Sequence, residues 1–369
     1  MTCADNPIVN AFAARPRSGT AVLVGEFFTA APFPHFAAAM RGEGWDVHEV
    51  ELGRHIGAPG NKWVHRIADS LLPHAKARGL AAAIIAAVAN NGADIVLFAK
   101  GIGATPDLIA QLATRGCRSV CWYPDFHFDY PNVDPDCFGR FDLFITTKEF
   151  QLDHLRVLRG DRPTVLIEHG WSPGVHWRPD PPLPPAARPF DAIFIGNHST
   201  YKEEWMRGLV KRLPQLDIAI SGHWWPSSIS GFSPGTVIAG PLVGDAMSRA
   251  ISHARIAIAV HHGPGGKQGW QDDVSARTFE IPAIGTFMLH IDSAHVRTLF
   301  DVPGEIDVFA DADSLAAKIR HYLAHPVERE AAAARAYARA VPAYSYTEAG
   351  RAISAAIQTH LGPAPTKGS

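Results

Sequence analysis

Short apolar runs that stop at a glycine, with helical stretches between them, occur in this sequence on both sides of a proline-dense break. Ala21-Val22-Leu23-Val24 reads as a strand ending at Gly25. The helix after it is expected from near Pro34, with Phe33, Phe36 and Met40 on one face. Val47 to Leu52 reads as a second strand, and Lys62 to Val88 as a long helical region. Further strands follow at 95–98, 119–122, 143–145 and 165–167. Strand, helix and strand in series require parallel pairing through right-handed crossovers. The runs carry few charges, as strands do when helices cover both faces of their sheet.

The break is Arg178-Pro179-Asp180-Pro181-Pro182-Leu183-Pro184-Pro185. Proline at this density continues neither a helix nor a central strand and favours a stiff, extended connection. Beyond it the pattern restarts with Asp191-Ala192-Ile193-Phe194-Ile195 running into Gly196, then with strands at 218–220, 236–239, 256–260, 287–289 and 306–309. Leu315, Ile319, Tyr322 and Leu323 share one helical face, and Ser345-Tyr346-Thr347-Glu348 has the form of a capping box opening a last helix through Leu361. The expected division is 1–178, a linker at 179–189, a second domain at 190–345 and a terminal helix and tail at 346–369. The fold class is α/β, two Rossmann-like parallel-sheet domains facing a central cleft.

Size and charge agree. A chain of 369 residues suffices for two such domains, each burying a core without disulfides. With 34 basic and 36 acidic residues and no basic run, nucleic acid is an unfavoured partner. Cys3, Cys117, Cys121 and Cys137 match no zinc spacing and read as reduced thiols. The N-terminus shows no apolar signal segment, and the longest apolar stretch, Ala81 to Ala99, is broken by Asn90, Asn91, Gly92 and Asp94. A cytoplasmic protein without an integral membrane segment is expected.

In open parallel sheets ligands bind beyond the carboxyl ends of the strands, so the chemistry is sought there. After the strand at 256–260 comes a glycine-rich loop, Gly263-Pro264-Gly265-Gly266-Lys267-Gln268-Gly269, and then Asp272 to Gly285, with a helix expected from near Val274 to Ala283. Its unpaired N–H groups suit an anion. On spacing alone, Arg277 and Glu280 are best read as an ordinary ion pair three residues apart. The loop Gly196-Asn197-His198-Ser199-Thr200-Tyr201-Lys202 either caps a helix or cradles a phosphate, with Lys202 neutralising a leaving group. Gly222 and His223 follow the next strand. His261 and His262 point to opposite sides of an extended chain, which disfavours a shared metal. In the first domain the strand ends offer Glu26 and Phe27, then Lys100, then Asp125 and His127 in an aromatic setting.

The pattern Asp272-x-x-Ser275-x-Arg277-Thr278-Phe279-Glu280-Ile281-Pro282-Ala283-x-Gly285 resembles the signature of CgeB-like (spore maturation protein-like) glycosyltransferases. The 168–179 segment, Glu168 to Pro179, resembles the strand-end loop that precedes the interdomain linker in such enzymes. The resemblance implies a GT-B fold and a retaining transferase of the hexosyltransferase kind, related to the group with two acidic residues separated by seven. Here the first acid is Asp272 where the wider group has Glu. It implies that Glu280 holds the donor ribose, that Asp272 lies near the transferred sugar, and that no metal or other cofactor is needed beside a nucleotide-sugar co-substrate. The expected catalytic residues are Asp272, Lys202 and Asp125. Donor contacts are expected from Gly196, Asn197, His198, Lys202, Gly222, His223, Arg277, Thr278, Phe279 and Glu280, and acceptor-side contacts from Glu26, Phe27, Lys100 and His127. The acceptor is not specified.

Three rival readings remain at this point. A dinucleotide oxidoreductase is disfavoured, because no strand is followed by G-x-G-x-x-G and Gly101-x-Gly103 has Pro106 at the third position. An inverting transferase or a nucleotide-sugar epimerase shares the fold, with His127 as the candidate base. A non-catalytic sugar-binding protein is the third.

Overall fold

The computed structural model describes residues 18–56, 73–128, 133–224, 232, 235–265 and 269–362. Cys3, the 62–72 part of the expected long helix, residues 266–268 of the glycine-rich loop and the tail from Pro363 lie outside these residues.

Six strands form the first sheet: β1 (Gly19–Gly25), β2 (Trp45–Glu51), β3 (Ile95–Ala99), β4 (Arg118–Tyr123), β5 (Leu143–Thr146) and β6 (Thr164–Leu166). Their order is β2-β1-β3-β4-β5-β6, all parallel. The second sheet holds β7 (Phe190–Ile195), β8 (Ile218–Ser221), β9 (Thr236–Ala239), β10 (Ala254–Ala259), β11 (Phe287–Ile291) and β12 (Asp307–Phe309). Its order is β12-β11-β10-β7-β8-β9, again all parallel. In this sheet the chain moves outward from β7 through β8 to β9 and then returns to β7's other side as β10. The strand order therefore reverses between β7 and β10, and the loops leaving these two strands diverge to open a crevice.

Helices cover both sheet faces. Phe33, Phe36 and Met40 of the helix Pro32–Gly42 are buried against β1, as their spacing predicts. In the second domain β7 sends Ala192 and Phe194 to one face and Ile193 and Ile195 to the other, into two separate apolar clusters. Each large side chain so buried stabilises the fold by roughly 1.5–3 kcal/mol. The helix Pro326–Ala343, which the sequence reading did not anticipate, buries Ala332, Ala333, Ala336 and Ala340 along one stripe. Small residues carry that stripe, so it lacks the bulky apolar periodicity that marks other helices.

Ser345 caps the final helix, Tyr346–Leu361, by accepting the Glu348 N–H at 3.1 Å. The Glu348 carboxylate does not complete the expected box; it turns to Arg351. The helix crosses back to the first domain, where Tyr346, Ala349, Ile353 and Ile357 join the core. Trp45 Nε1–H donates to Ser354 Oγ at 2.8 Å. The C-terminus thus ties the two domains together. No helix among the described residues is long and apolar enough to cross a membrane.

Candidate active site

The carboxyl ends of β7 and β10 and those of β4 and β5 frame one cavity of about 460 Å³ between the domains. From the second domain it is lined by Ile195, Gly196, Asn197 and Lys202, by Val260, His261 and His262, and by Asp272, Ser275, Ala276 and Arg277. From the first domain come Pro124, Asp125 and Phe126, together with Lys148 and His169. The reversal point of the second sheet is therefore one wall of the cavity.

Lys148, two residues beyond β5, is the residue that sequence reasoning missed. Its ammonium donates to Asp272 Oδ1 at 2.7 Å and to the Val274 carbonyl at 2.6 Å, across the domain boundary. Lys148 and Asp272 are 3% and 4% exposed, so this is a desolvated pair in which each charge satisfies the other. The Asp272 backbone N–H donates to the His262 carbonyl at 3.0 Å. The signal was present: Thr147 and Lys148 end a strand just as Lys100 and Asp125 do.

Lys202 lies in the first turn of the helix Thr200–Arg212, whose N-cap Ser199 accepts the Lys202 N–H. Its side chain doubles back, donating to the Asn197 carbonyl at 3.3 Å. Burial lowers its pKa, with Asp272 opposing and Arg277 adding to the effect. Gly222 stands directly behind this loop. A Cβ there would come 2.1 Å from the Gly196 carbonyl oxygen, and its φ of +150° lies in the region that favours glycine. Gly222→Ala is therefore expected to push the Gly196 loop out of place, with a loss of at least about 2 kcal/mol on unfolding and a weakened site. A wild-type urea midpoint in the variant would count against this.

The helix Ala276–Ile284 starts two residues later than expected because Ser275 caps it. Ser275 accepts the Arg277 N–H, and Thr278 accepts the Ser275 N–H at 3.1 Å, a closed capping box. Behind it lies a histidine chain. His290 Nδ1–H donates to the Ile291 carbonyl at 2.6 Å, which leaves Nε2 as an acceptor. His261 Nε2–H donates to it at 2.8 Å, so His261 Nδ1 is bare and accepts a hydrogen bond from the Ser275 hydroxyl at 2.9 Å. Burial holds both rings neutral, pushing His290 down to about 4 and His261 well below its ordinary value.

Several expected contacts are placed elsewhere. Thr278 is fully buried and spends its hydroxyl on the cap and the histidines, and Phe279 is a core residue packed on Tyr344. Neither reaches the cavity. Glu280 lies behind the cavity wall, paired with Arg277 and 3.6 Å from His176 Nε2. His176, pushed down to about 3 chiefly by burial, is neutral, and its Nδ1 accepts the Ser172 N–H. The spacing-only reading of Arg277 and Glu280 as a helical pair therefore holds, while Arg277 faces the cavity. Burial brings the Arg277 guanidinium down to about 10.

His198 pairs with Glu203 at 2.7 Å, His223 is exposed with its N–H on Asn197 Oδ1, and Gly222 supports the loop from behind. Among the acceptor-side candidates, Glu26 is exposed outside the cavity and the Phe27 N–H donates to Glu51. Lys100 and Asp125 pair at 2.9 Å, Asp125 lining the wall. The His127 ring rests on Phe126, while Phe126 stacks on His262 of the other domain, with ring centres 5.1 Å apart. As expected of neighbours on an extended chain, His261 faces inward and His262 outward. One group among the described residues, His321, His325 and Glu328, brings possible ligand atoms within 4.8 Å of each other; all three are exposed and none lines this cavity.

Comparisons with known proteins follow the same lines. Residues 200–354 match the model of a family described as glycosyl transferase-like. A search of the curated proteins finds no match. Among solved structures, the chain is similar to sucrose-phosphate synthase from Thermosynechococcus elongatus, with a TM-score of 0.65 at 13% identity, covering 93% of this chain and 99% of that one. It is equally similar to a glycosyltransferase from Rickettsia africae ESF-5, with a TM-score of 0.65 at 12% identity over 94% and 99%. HepE from Anabaena, in complex with UDP and glucose, gives 0.60 at 11% identity over 92% and 100%. At these identities the likeness establishes the fold. The architecture is GT-B, and its second domain is glycosyl transferase-like in sequence.

Proposed function

We propose that the chain is a glycosyltransferase that moves a sugar from a nucleotide-diphosphate donor bound in the interdomain cavity. The observation that carries this reading is the charge arrangement there. Lys148, Lys202 and Arg277 face one cavity with Asp272 among them, at the point where the second sheet's strand order reverses. Asp125 is balanced by Lys100, and the start of the Ala276–Ile284 helix adds backbone N–H groups. With Lys148 paired to Asp272 and Arg277 to Glu280 behind the wall, one cation is in excess, which favours an anion beside the Asp272 carboxylate, as in a diphosphate ester joined to a neutral sugar.

In this reading the diphosphate lies between Lys202, Arg277 and the helix start. Lys202 stabilises the charge that grows on the leaving phosphate, and Asp272 contacts the transferred sugar. Glu280, behind the wall, supports this from outside the cavity, its ion pair holding the Arg277 guanidinium in place. The finer reading is a CgeB-like enzyme that retains anomeric configuration and works without a metal. The sequence pattern at 272–285 supports it.

A melting-temperature screen against nucleosides, nucleoside diphosphates and nucleotide sugars tests the reading, since a ligand bound only by the native state raises its melting point. Diphosphates and their sugar esters should stabilise where nucleosides do not. The gain should shrink by at least half in Lys202→Ala. Equal gains in the variant would remove Lys202 from the site.

A further inference from the structure

Two buried polar atoms, one on a residue that lines the cleft and one on the residue packed behind it, have complementary needs. Trp122, on β4, is 3% exposed, and its indole N–H has no hydrogen-bond partner among the described residues. The His169 ring stands edge-on to it, with centres 6.5 Å apart at 80°. His169 Nε2 lies 3.1 Å from the Pro124 carbonyl. A carbonyl only accepts, so Nε2 carries the proton of the neutral ring and Nδ1 is a bare acceptor. Nδ1 is also buried and unpartnered among the described residues. Burial and the neighbouring Lys148 ammonium hold the ring neutral. His169 and Pro124 both line the cavity.

A buried donor and a buried acceptor left unpaired each cost about 1–3 kcal/mol, so a partner is expected for both. A hydroxyl has what both atoms need, since its oxygen accepts from an indole N–H and its proton is donated to an imidazole nitrogen. The geometry points to a subsite between Trp122 and His169 that takes one hydroxyl of the transferred sugar, fixing how the sugar is oriented against Asp272. This rests on reading the cavity as a nucleotide-sugar site. Water offers the same chemistry, and the experiment separates the two.

Two substitutions divide the imidazole's roles. His169→Asn places an amide oxygen where Nδ1 stood and gives up the bond to Pro124. His169→Gln reaches the Pro124 carbonyl with its amide N–H and gives up the acceptor at the Nδ1 position. Trp122→Phe removes only the indole N–H while keeping an aromatic ring against Phe33 and Phe36. Calorimetric titration of these variants and the wild type would use UDP, GDP and dTDP, and their hexose esters.

All four proteins should bind the preferred nucleoside diphosphate alike. The matching nucleotide sugar should bind wild type and His169→Asn alike, and His169→Gln and Trp122→Phe roughly tenfold more weakly. Undiminished sugar-ester affinity in the last two variants would show that the subsite holds only water and would overturn the proposal. A loss confined to His169→Asn would overturn it too, because the Pro124 bond would then be what matters. If the wild type bound no nucleotide at all, the parent reading would fall, and the subsite with it.

Discussion

Replacing Lys148 by Met is expected to be among the most damaging single changes in the protein. The substitution leaves the Asp272 carboxylate, 4% exposed, without the ammonium bonded to it, and it leaves the Val274 carbonyl without its donor. Stranding one member of a buried pair costs about 3–5 kcal/mol, much more than the pair itself is worth. For a chain of this size that is a fall in melting temperature of roughly 5 °C. The double variant Lys148→Met with Asp272→Asn removes the stranded charge and should recover at least half of the loss. Transfer, which in the proposed reaction needs the carboxylate, should not return in the double variant. Additive destabilisation in the double variant would mean the two side chains act independently.

Acid should unfold the protein early. His176 is pushed down to about 3 and His290 to about 4 by burial, and His169 and His261 lie well below the ordinary value for the same first cause. In the unfolded chain each titrates near 6.5. Below that pH the unfolded state takes up protons that the folded state refuses, so stability drops as pH falls from 6.5 toward 4. Each such histidine contributes about 1.4 kcal/mol per pH unit in that window. His176 and His290 alone would remove about 5 kcal/mol by pH 4.5, a large share of the 5–15 kcal/mol typical of a folded domain. His295 works the other way. Burial opposes its charge, but the bond to Glu168 and the nearby Glu149 and Asp273 outweigh it and raise its pKa, so its contribution persists at low pH. One residue against four does not reverse the trend. Urea melts at pH 7 and pH 4.5 check this, and equal midpoints would contradict it.

Much of the architecture was legible in the sequence because parallel strands buried on both faces leave unbroken apolar runs. Val24-Gly25 and Ile195-Gly196 mark strand ends directly, and the strands at 19–25 and 190–195 differ from expectation by a residue or two. The helix Pro326–Ala343 was missed because alanine packs without a bulky signature. The return of Tyr346–Leu361 to the first domain depends on contacts some 300 residues away, such as Trp45 with Ser354, which no local pattern records.

The site was legible in part. Strand-end reasoning pointed to Gly196, Lys202 and Asp125, and the resemblance at 272–285 to Asp272 and Arg277; all five share one cavity. It did not separate side chains facing the cavity from those behind it. Arg277 and Thr278 are adjacent in sequence, yet the helical turn aims Arg277 at the cavity and sends Thr278 to the histidine chain. Lys148 went unnoticed because its role depends on the opposite domain. Asp272, expected near the transferred sugar, has that lysine as its partner.

The central claim is that the β7–β10 reversal and the first domain together enclose a nucleotide-sugar site. A crystal structure with the nucleotide sugar that raises the melting temperature most would test it directly. The account requires the diphosphate between Lys202 and Arg277, with the sugar beside Asp272. Density for the ligand in the other deep cavity, beside Trp45, Asp94 and Arg118 at the opposite end of the first sheet, would contradict it.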